Sequence, residues 1–334
     1  MSPRGRRSRL WIHERLEQEV SELRERLGGL PRPAEAEDIW TDIWYQEAHN
    51  STALEGNTLV LKEVAELLAE GRAVGDKQLK DYLEVKGYAD AAHWVYDQGI
   101  GAGERGAGDI LTLTEVRYIH ELAMTTVWEV APHPSAGAAE TPGGWRQHNI
   151  HPFPGGMVPP DFPEVPSRMR DWVDDVCRMR DDPAPIGKAI ASRHAAFERI
   201  HPFLDGNGRT GRLVMNLILV RLGYPPAIIQ KRERPRYLAA LQRADAGDPE
   251  PLGEILARAI LDNLMRFVLP AVAGPRRLVP LEALATKELN AQALAMAARR
   301  GRLRALRADN GTWRSTRHWV DDYVAQRWAR MKEP

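Results

Sequence analysis

Apolar residues recur at three- and four-residue spacing along most of this 334-residue chain, the period of helices that bury one face. In residues 10–30, Leu16, Val20, Leu23 and Leu27 form such a stripe on a Glu- and Arg-rich background, ended by Gly28-Gly29 and Pro31. A second helix is expected from about Ala34. It runs into Ser51-Thr52-Ala53-Leu54-Glu55-Gly56-Asn57, where four-residue spacing puts Ser51 and Glu55 on one face and Gly56 can end the helix. Residues 59–70 follow, with Leu59, Val60, Val64, Leu67 and Leu68 inward, then 78–98, 112–130, 165–179 and 186–200. Residues 213–222 are apolar on nearly every side, which predicts a buried central helix, and 236–244 and 251–269 complete the set.

Between these runs lie loops. Residues 99–108 contain a literal GxGxxG at Gly101, Gly103 and Gly106, but a helical pattern precedes it and no βαβ context surrounds it, so a flexible loop is expected. Residues 131–144, rich in Pro, Ala and Gly, read as a surface loop. Pro270 to Pro275 reads as a linker, after which arginine dominates: Arg299, Arg300, Arg302, Arg304, Arg307, Arg314 and Arg317. There the pattern predicts helices at 281–285 and 291–300, the latter capped by Asn290. A hairpin is expected about Asp309-Asn310-Gly311, with a last helix over 316–331.

Lys plus Arg and Asp plus Glu both number 46, so no global field favours nucleic acid or a membrane. The single cysteine, Cys177, excludes an internal disulfide, and Trp172, Val173 and Val176 around it make it a core residue. Arg4, Arg6, Arg7 and Arg9 precede Leu10-Trp11-Ile12, but His13, Glu14 and Arg15 interrupt any export signal. With no run long enough to span a bilayer, a cytoplasmic protein is expected.

The densest chemistry is Ile200-His201-Pro202-Phe203-Leu204-Asp205-Gly206-Asn207-Gly208-Arg209-Thr210-Gly211-Arg212. An apolar helix stops at Pro202 and another starts after the glycines, so the glycines are expected in a loop feeding a helix N-terminus. That is a natural anion site. Around it stand an imidazole (His201), a carboxylate able to hold Mg²⁺ (Asp205), an amide (Asn207) and two guanidiniums (Arg209, Arg212). Base, metal ligand and phosphate clamps are the parts of a phosphoryl or nucleotidyl transfer site.

This string resembles the Fic family signature HPFx(D/E)GNGRxxR at every defined position. The resemblance implies a mainly α fold, a Fic-type helical bundle with a short β-hairpin flap, that transfers AMP from ATP to a Ser, Thr or Tyr hydroxyl of a protein. Carried over, His201 is the base, Asp205 holds Mg²⁺, Gly206, Asn207 and Gly208 cradle the phosphates, and Arg209 and Arg212 bind the β and γ phosphates. Tyr237 and Asp245 fall where relatives approach the adenine, although relatives often carry a neutral amide at the place of Asp245. Residues 112–130 are similar to the helix before the family's Gly-x-aromatic-Arg, here Gly143-Gly144-Trp145-Arg146. Gly156-Met157-Val158-Pro159-Pro160 matches the flap, with any strand short and at an edge because of the prolines. His151-Pro152-Phe153 repeats part of the signature, but Pro154, Gly155 and Gly156 follow where clamps are needed.

Ser51 to Asn57 resembles the family's inhibitory motif (S/T)xxxE(G/N), which implies that Glu55 pairs with Arg212. One guanidinium cannot serve a carboxylate and a γ-phosphate equally well, so a poorly active resting protein is expected. The C-terminal helices and basic hairpin resemble a winged helix, able to meet DNA or a protein. The expected organisation is a helical region at 1–110 with an inhibitory helix near 41–57, a catalytic core at 111–269, a linker at 270–277 and a winged-helix domain at 278–334. The expected partners are ATP, a hydroxyl-bearing protein and, through the last domain, DNA; no membrane is expected and a homodimer is left open. Two rival readings are a hydrolase that removes AMP by way of Glu55 and an ATP-sensing DNA-binding regulator. A phosphotransferase of the Doc type ranks low, since that group has lysine at the place of Gly208.

Overall fold

A computed structural model describes residues 9–33, 36–100, 110–152, 156–275, 277–308 and 310–332. The helical periods become α1 (Arg9–Leu27), α2 (Glu37–Leu54), α3 (Leu61–Glu70), α4 (Leu79–Ile100), α5 (Leu113–Trp128), α6 (Val165–Cys177), α7 (Ile186–Ile200), α8 (Asn207–Arg221), α9 (Arg234–Asp245), α10 (Glu250–Asn263), α11 (Leu269–Val272), α12 (Ala291–Arg299) and α13 (Arg317–Lys332). Three short strands, β1 (Val279–Pro280), β2 (Leu306–Arg307) and β3 (Trp313–Ser315), form an antiparallel sheet in the order β1-β3-β2. The fold is mainly α, as expected.

Helix α8 is the axis. Leu213, Val214, Met215, Leu217, Ile218 and Leu219 are all buried because α2, α4, α5 and α7 surround it. Burying each such side chain stabilises the fold by roughly 1.5–3 kcal/mol. Helix α1 closes the far side against α7 and α10 through Ile12, Leu16, Val20 and Leu23. At the start of α5, Thr112 and Glu115 form a reciprocal capping box, a local signal that fixes where the helix begins.

Several expectations need correction. Val60 is 54% exposed, because it stands at the N-cap of α3 before the helical period begins. Helix α8 starts at Asn207, six residues earlier than its apolar run implied, so Gly208 and Gly211 are helical and Gly206 alone makes the turn. Where the flap hairpin was expected, the described residues of 147–161 hold no strand, and every strand among the described residues lies after residue 278. Pro159 and Pro160 cannot donate to a ladder, and the carbonyls of His148 and Pro160 are taken by Arg146. The linker is helical at its start, since α10 continues through a π turn into α11. Arg4, Arg6 and Arg7, the GxGxxG of Gly101, Gly103 and Gly106, Phe153-Pro154-Gly155, Ala34 and Asp309 lie outside the described residues.

The C-terminal segment meets the expected element order, with Asn290 capping α12 through Ala293 N–H at 2.9 Å. Its arginines divide: Arg299, Arg300, Arg302, Arg304 and Arg307 are exposed, while Arg314 turns inward. Arg314 on β3 pairs with Glu22 at 2.8 Å and Glu19 at 3.4 Å of α1, and Asn310 at the turn donates to Gln18 at 2.8 Å. Arg304 lies 4.0 Å from the Trp319 ring centroid. The hairpin is thus docked on α1, with Arg314 held there while Arg304 and Arg307 stay exposed.

Candidate active site

Helix α7 ends at His201, which sits in the left-handed region at φ 49° and ψ 61°. For a non-glycine residue this is strained by about 1–3 kcal/mol, and the surroundings enforce it. The Asn207 side chain clamps the following turn, accepting from Phe203 N–H at 2.9 Å and donating to Phe203 O at 2.8 Å. Gly206, at φ 76°, supplies the step into α8. The N–H groups of residues 207–209 precede the first intrahelical bond, from Thr210 N–H to Gly206 O at 2.9 Å, and so form the anion-binding end of α8. The amide of Asn207 is therefore a brace of the turn, and only its backbone remains for the phosphate role assigned to it.

Two residues given no role from sequence hold this turn. His120 of α5 stacks on Phe203 with centroids 3.7 Å apart and planes 3° from parallel. Its Nε2 donates to Asp205 O at 3.0 Å and its Nδ1 accepts from Gly143 N–H at 2.8 Å. Burial pushes its pKa down to about 4, which keeps this one-donor, one-acceptor form. Arg146, 1% exposed, donates to His201 O at 2.9 Å, to His148 O at 3.1 Å and to Pro160 O. Arg146 is visible in the Gly-x-aromatic-Arg element, but its partners are carbonyls, which sequence does not reveal. A lone histidine on a helix, such as His120, carries no sequence signal at all.

His201 Nδ1 lies 3.1 Å from Glu198 O. A carbonyl only accepts, so Nδ1 carries the proton and Nε2 is the basic nitrogen. Burial lowers the His201 pKa, favouring the neutral base.

The stretch from Ser51 to Asn57 brings Glu55 onto Arg212. Helix α2 ends with Gly56 N–H on Ala53 O at 3.2 Å and Asn57 N–H on Thr52 O at 3.1 Å, a Schellman stop that Gly56 permits at φ 106°. From this end Glu55 accepts from Arg212 at 2.7 Å. Arg212 also donates to Ser51 Oγ at 2.7 Å and to Ser51 O at 3.0 Å. One helical turn below Ser51, Glu47 accepts from Tyr88 at 2.8 Å, from Asn216 at 2.7 Å and from Tyr96. Residues 47, 51 and 55 thus form one stripe of α2 that meets 216, 212 and 208 of α8 rung by rung. At the last rung, a Cβ on Gly208 would stand 2.4 Å from Glu55 Oε1, so glycine there is what lets the carboxylate in.

These groups line one cavity of about 570 Å³, the size of a small-molecule site. Glu55, His201, Asp205, Gly206, Asn207, Gly208, Arg209, Arg212 and Tyr237 all reach it, whereas Asp245 is not in its lining and pairs with Arg199 at 3.1 Å. Ser51 is buried behind the cavity and acts through Arg212. Burial opposes ionisation of Glu55, yet the Arg212 guanidinium outweighs it and holds the carboxyl below its ordinary range. Burial likewise opposes the Arg212 charge, and Glu55 and its neighbours raise it nonetheless.

Asp205 is held ionised by Arg209 and by Gly206 N–H, against the effect of burial. Its Oδ1 takes Gly206 N–H at 2.6 Å and Arg209 at 3.2 Å, while among the described residues its second oxygen makes no hydrogen bond. One carboxylate with a spare oxygen suits Mg²⁺ arriving with phosphates, and among the described residues no group of three or more His, Cys, Asp or Glu offers a fuller cage. Arg209 is engaged as well, lying 3.4 Å from Glu84. Tyr237 packs in the wall with its hydroxyl 2.7 Å from His194 Nε2. Among the described residues no helix is long and apolar enough to cross a membrane.

Residues 110–219 match the model of the Fic/DOC family. Over 219 residues the chain is 32% identical to the protein adenylyltransferase Fic of Aedes aegypti, an overlap covering 65% of this chain and 40% of that protein. The chain therefore spans well under half the length of this curated relative. Its fold is similar to a Fic domain containing signalling protein from Bacteroides thetaiotaomicron, with TM-score 0.63 and 23% identity over 78% of this chain and 96% of that one. It is also similar to Fic-1 from C. elegans, with TM-score 0.62 and 23% identity over 77% and 72%.

Proposed function

Starting from a chain that carries a Fic/DOC-family domain, we propose that it is a protein adenylyltransferase held at rest by Glu55. ATP enters the cavity with its β and γ phosphates on the free N–H groups of residues 207–209 and on Arg209 and Arg212. Asp205 would hold the Mg²⁺ that accompanies the triphosphate, and the ion would there neutralise charge on the departing pyrophosphate. His201 Nε2 removes the proton of a Ser, Thr or Tyr hydroxyl on the target protein. The oxygen then attacks the α-phosphorus, forming the new P–O bond as the bond to pyrophosphate breaks. Positioning and electrostatics supply most of the acceleration.

The observation that carries this reading is the 2.7 Å contact between Glu55 and Arg212, made over Gly208 in the same cavity as His201. A carboxylate parked on a phosphate-binding guanidinium is a natural brake on a triphosphate enzyme. The test is incubation of α-labelled ATP and Mg²⁺ with cell lysate and the native chain, Glu55→Gly or His201→Ala. Label on protein, increased by the first substitution and abolished by the second, supports the reading. Absence of protein label with all three chains refutes it.

A further inference from the structure

Glu198 has no part in the transfer described above, yet it stands in its cavity. It lies on the last turn of α7, one helical turn before His201, and its side chain is 13% exposed, to the cavity that it lines. Its Oε1 is buried with no hydrogen-bond partner among the described residues. The carboxyl group packs against α8 where a Cβ on Gly211 would stand 2.4 Å from Oε1, beside Arg212. Four elements face it: His194 on α7, 3.9 Å from Oε1; Arg212 on α8; Tyr237 and Asp245 on α9; and Glu55 on α2. A buried carboxylate without hydrogen bonds is unfavourable, so this group keeps its proton unless Arg212 turns to it.

We propose that Glu198 is a further nucleotide-contacting residue. As the neutral acid it leaves Arg212 to the phosphates and offers its own O–H to an acceptor atom of a nucleoside triphosphate. As the carboxylate it competes with the phosphates for Arg212. This rests on the nucleotide-binding reading above and adds a condition to it: binding requires a proton on Glu198. Burial, with the carboxylates of Glu55 and Asp245 nearby, outweighs Arg212 and pushes the Glu198 pKa up to about 8. The neutral form therefore predominates near pH 7, and the incoming phosphates favour it further. His194 does not compete for the proton, since burial and Arg212 push its own pKa down to about 3.

The test is equilibrium binding of a non-hydrolysable ATP analogue with Mg²⁺ to the full chain between about pH 6 and pH 9. The native protein is compared with Glu198→Gln, which keeps the shape and cannot ionise, and thermal melts check that both are folded. For a site competent only when protonated, the native Kd rises about tenfold from pH 7 to pH 9, while the Gln variant holds its neutral-pH affinity throughout. Ionisation of the analogue is common to both and cancels. Identical pH slopes would overturn the role of Glu198 and leave the nucleotide site standing, whereas no binding by either protein would sink both. Should Glu198→Gln melt early, proton uptake by the native chain on binding at about pH 8 reads the same event, and zero uptake overturns it.

Discussion

Replacing Glu55 by Gly removes the one carboxylate bonded to Arg212 among the described residues and leaves the guanidinium held by Ser51 Oγ and Ser51 O. Arg212 is therefore freed for a phosphate while remaining oriented. A charge-assisted hydrogen bond contributes roughly 1.5–3 kcal/mol. The Glu55 side chain is 40% exposed, so solvent screening moves the figure to the low end, about 1.5 kcal/mol. At about 1.4 kcal/mol per decade, kcat/KM for ATP should rise roughly tenfold. The same change leaves a buried cation with fewer partners, so the variant should also lose about 1 kcal/mol of stability. The assay is initial-rate transfer from α-labelled ATP at subsaturating concentration, paired with a thermal melt. A rate within twofold of the native chain, in a variant that has lost stability, would refute the reasoning, because the contact would then be structural only.

His201→Ala should reduce transfer about 10²–10⁴-fold while nucleotide affinity, measured with an unreactive analogue, changes little. Because burial lowers the His201 pKa, the acid limb of kcat/KM should have its midpoint below about 6.5; a midpoint above that value would contradict a buried base. His120 and His194 are buried neutral with folded pKa values of about 4 and about 3, below the unfolded value. Their contribution to stability is thus complete above about pH 6.5 and is lost as pH falls toward those values, by ~1.4 kcal/mol per pH unit for each group. Urea melts between about pH 7 and pH 5 should show that decline, and a His120→Gln chain with an unchanged slope would count against it. Glu47→Ala leaves the Tyr88 and Tyr96 hydroxyls without their acceptor and removes one of two from Asn216, which should cost ~3 kcal/mol or more and also raise basal transfer by loosening α2. A destabilised variant with unaltered basal rate would separate Glu47 from the brake.

The helices were legible because a 3.6-residue period needs only local spacing, and their caps are local too: Thr112 with Glu115, Asn290 before α12, Gly56 after α2. The start of α8 was misread for a related reason. Gly208 and Gly211 look like loop residues in sequence, but a helix accepts glycine where a neighbour crowds the backbone, and Glu55, Glu198 and Phe197 do so here. The flap was misjudged because strand pairing depends on partners elsewhere in the chain, and Arg146 claims two of the carbonyls. The direction of each C-terminal arginine was not legible, because it is set by what the side chain meets: Arg314 meets Glu19 and Glu22, while Arg304 and Arg307 stay exposed.

The sequence by itself determined the helical architecture, the buried axis and the identity of the reactive groups between His201 and Arg212, since each is written in contiguous residues. Only the tertiary structure decided how those groups are used. It turned the Asn207 amide onto Phe203, fixed the proton of His201 on Nδ1 and enclosed an unpaired Glu198. It also brought Glu55 across 157 positions onto Arg212. These contacts join residues far apart in the chain, and their strength depends on burial, which exists only once α2, α7, α8 and α9 have closed around one cavity.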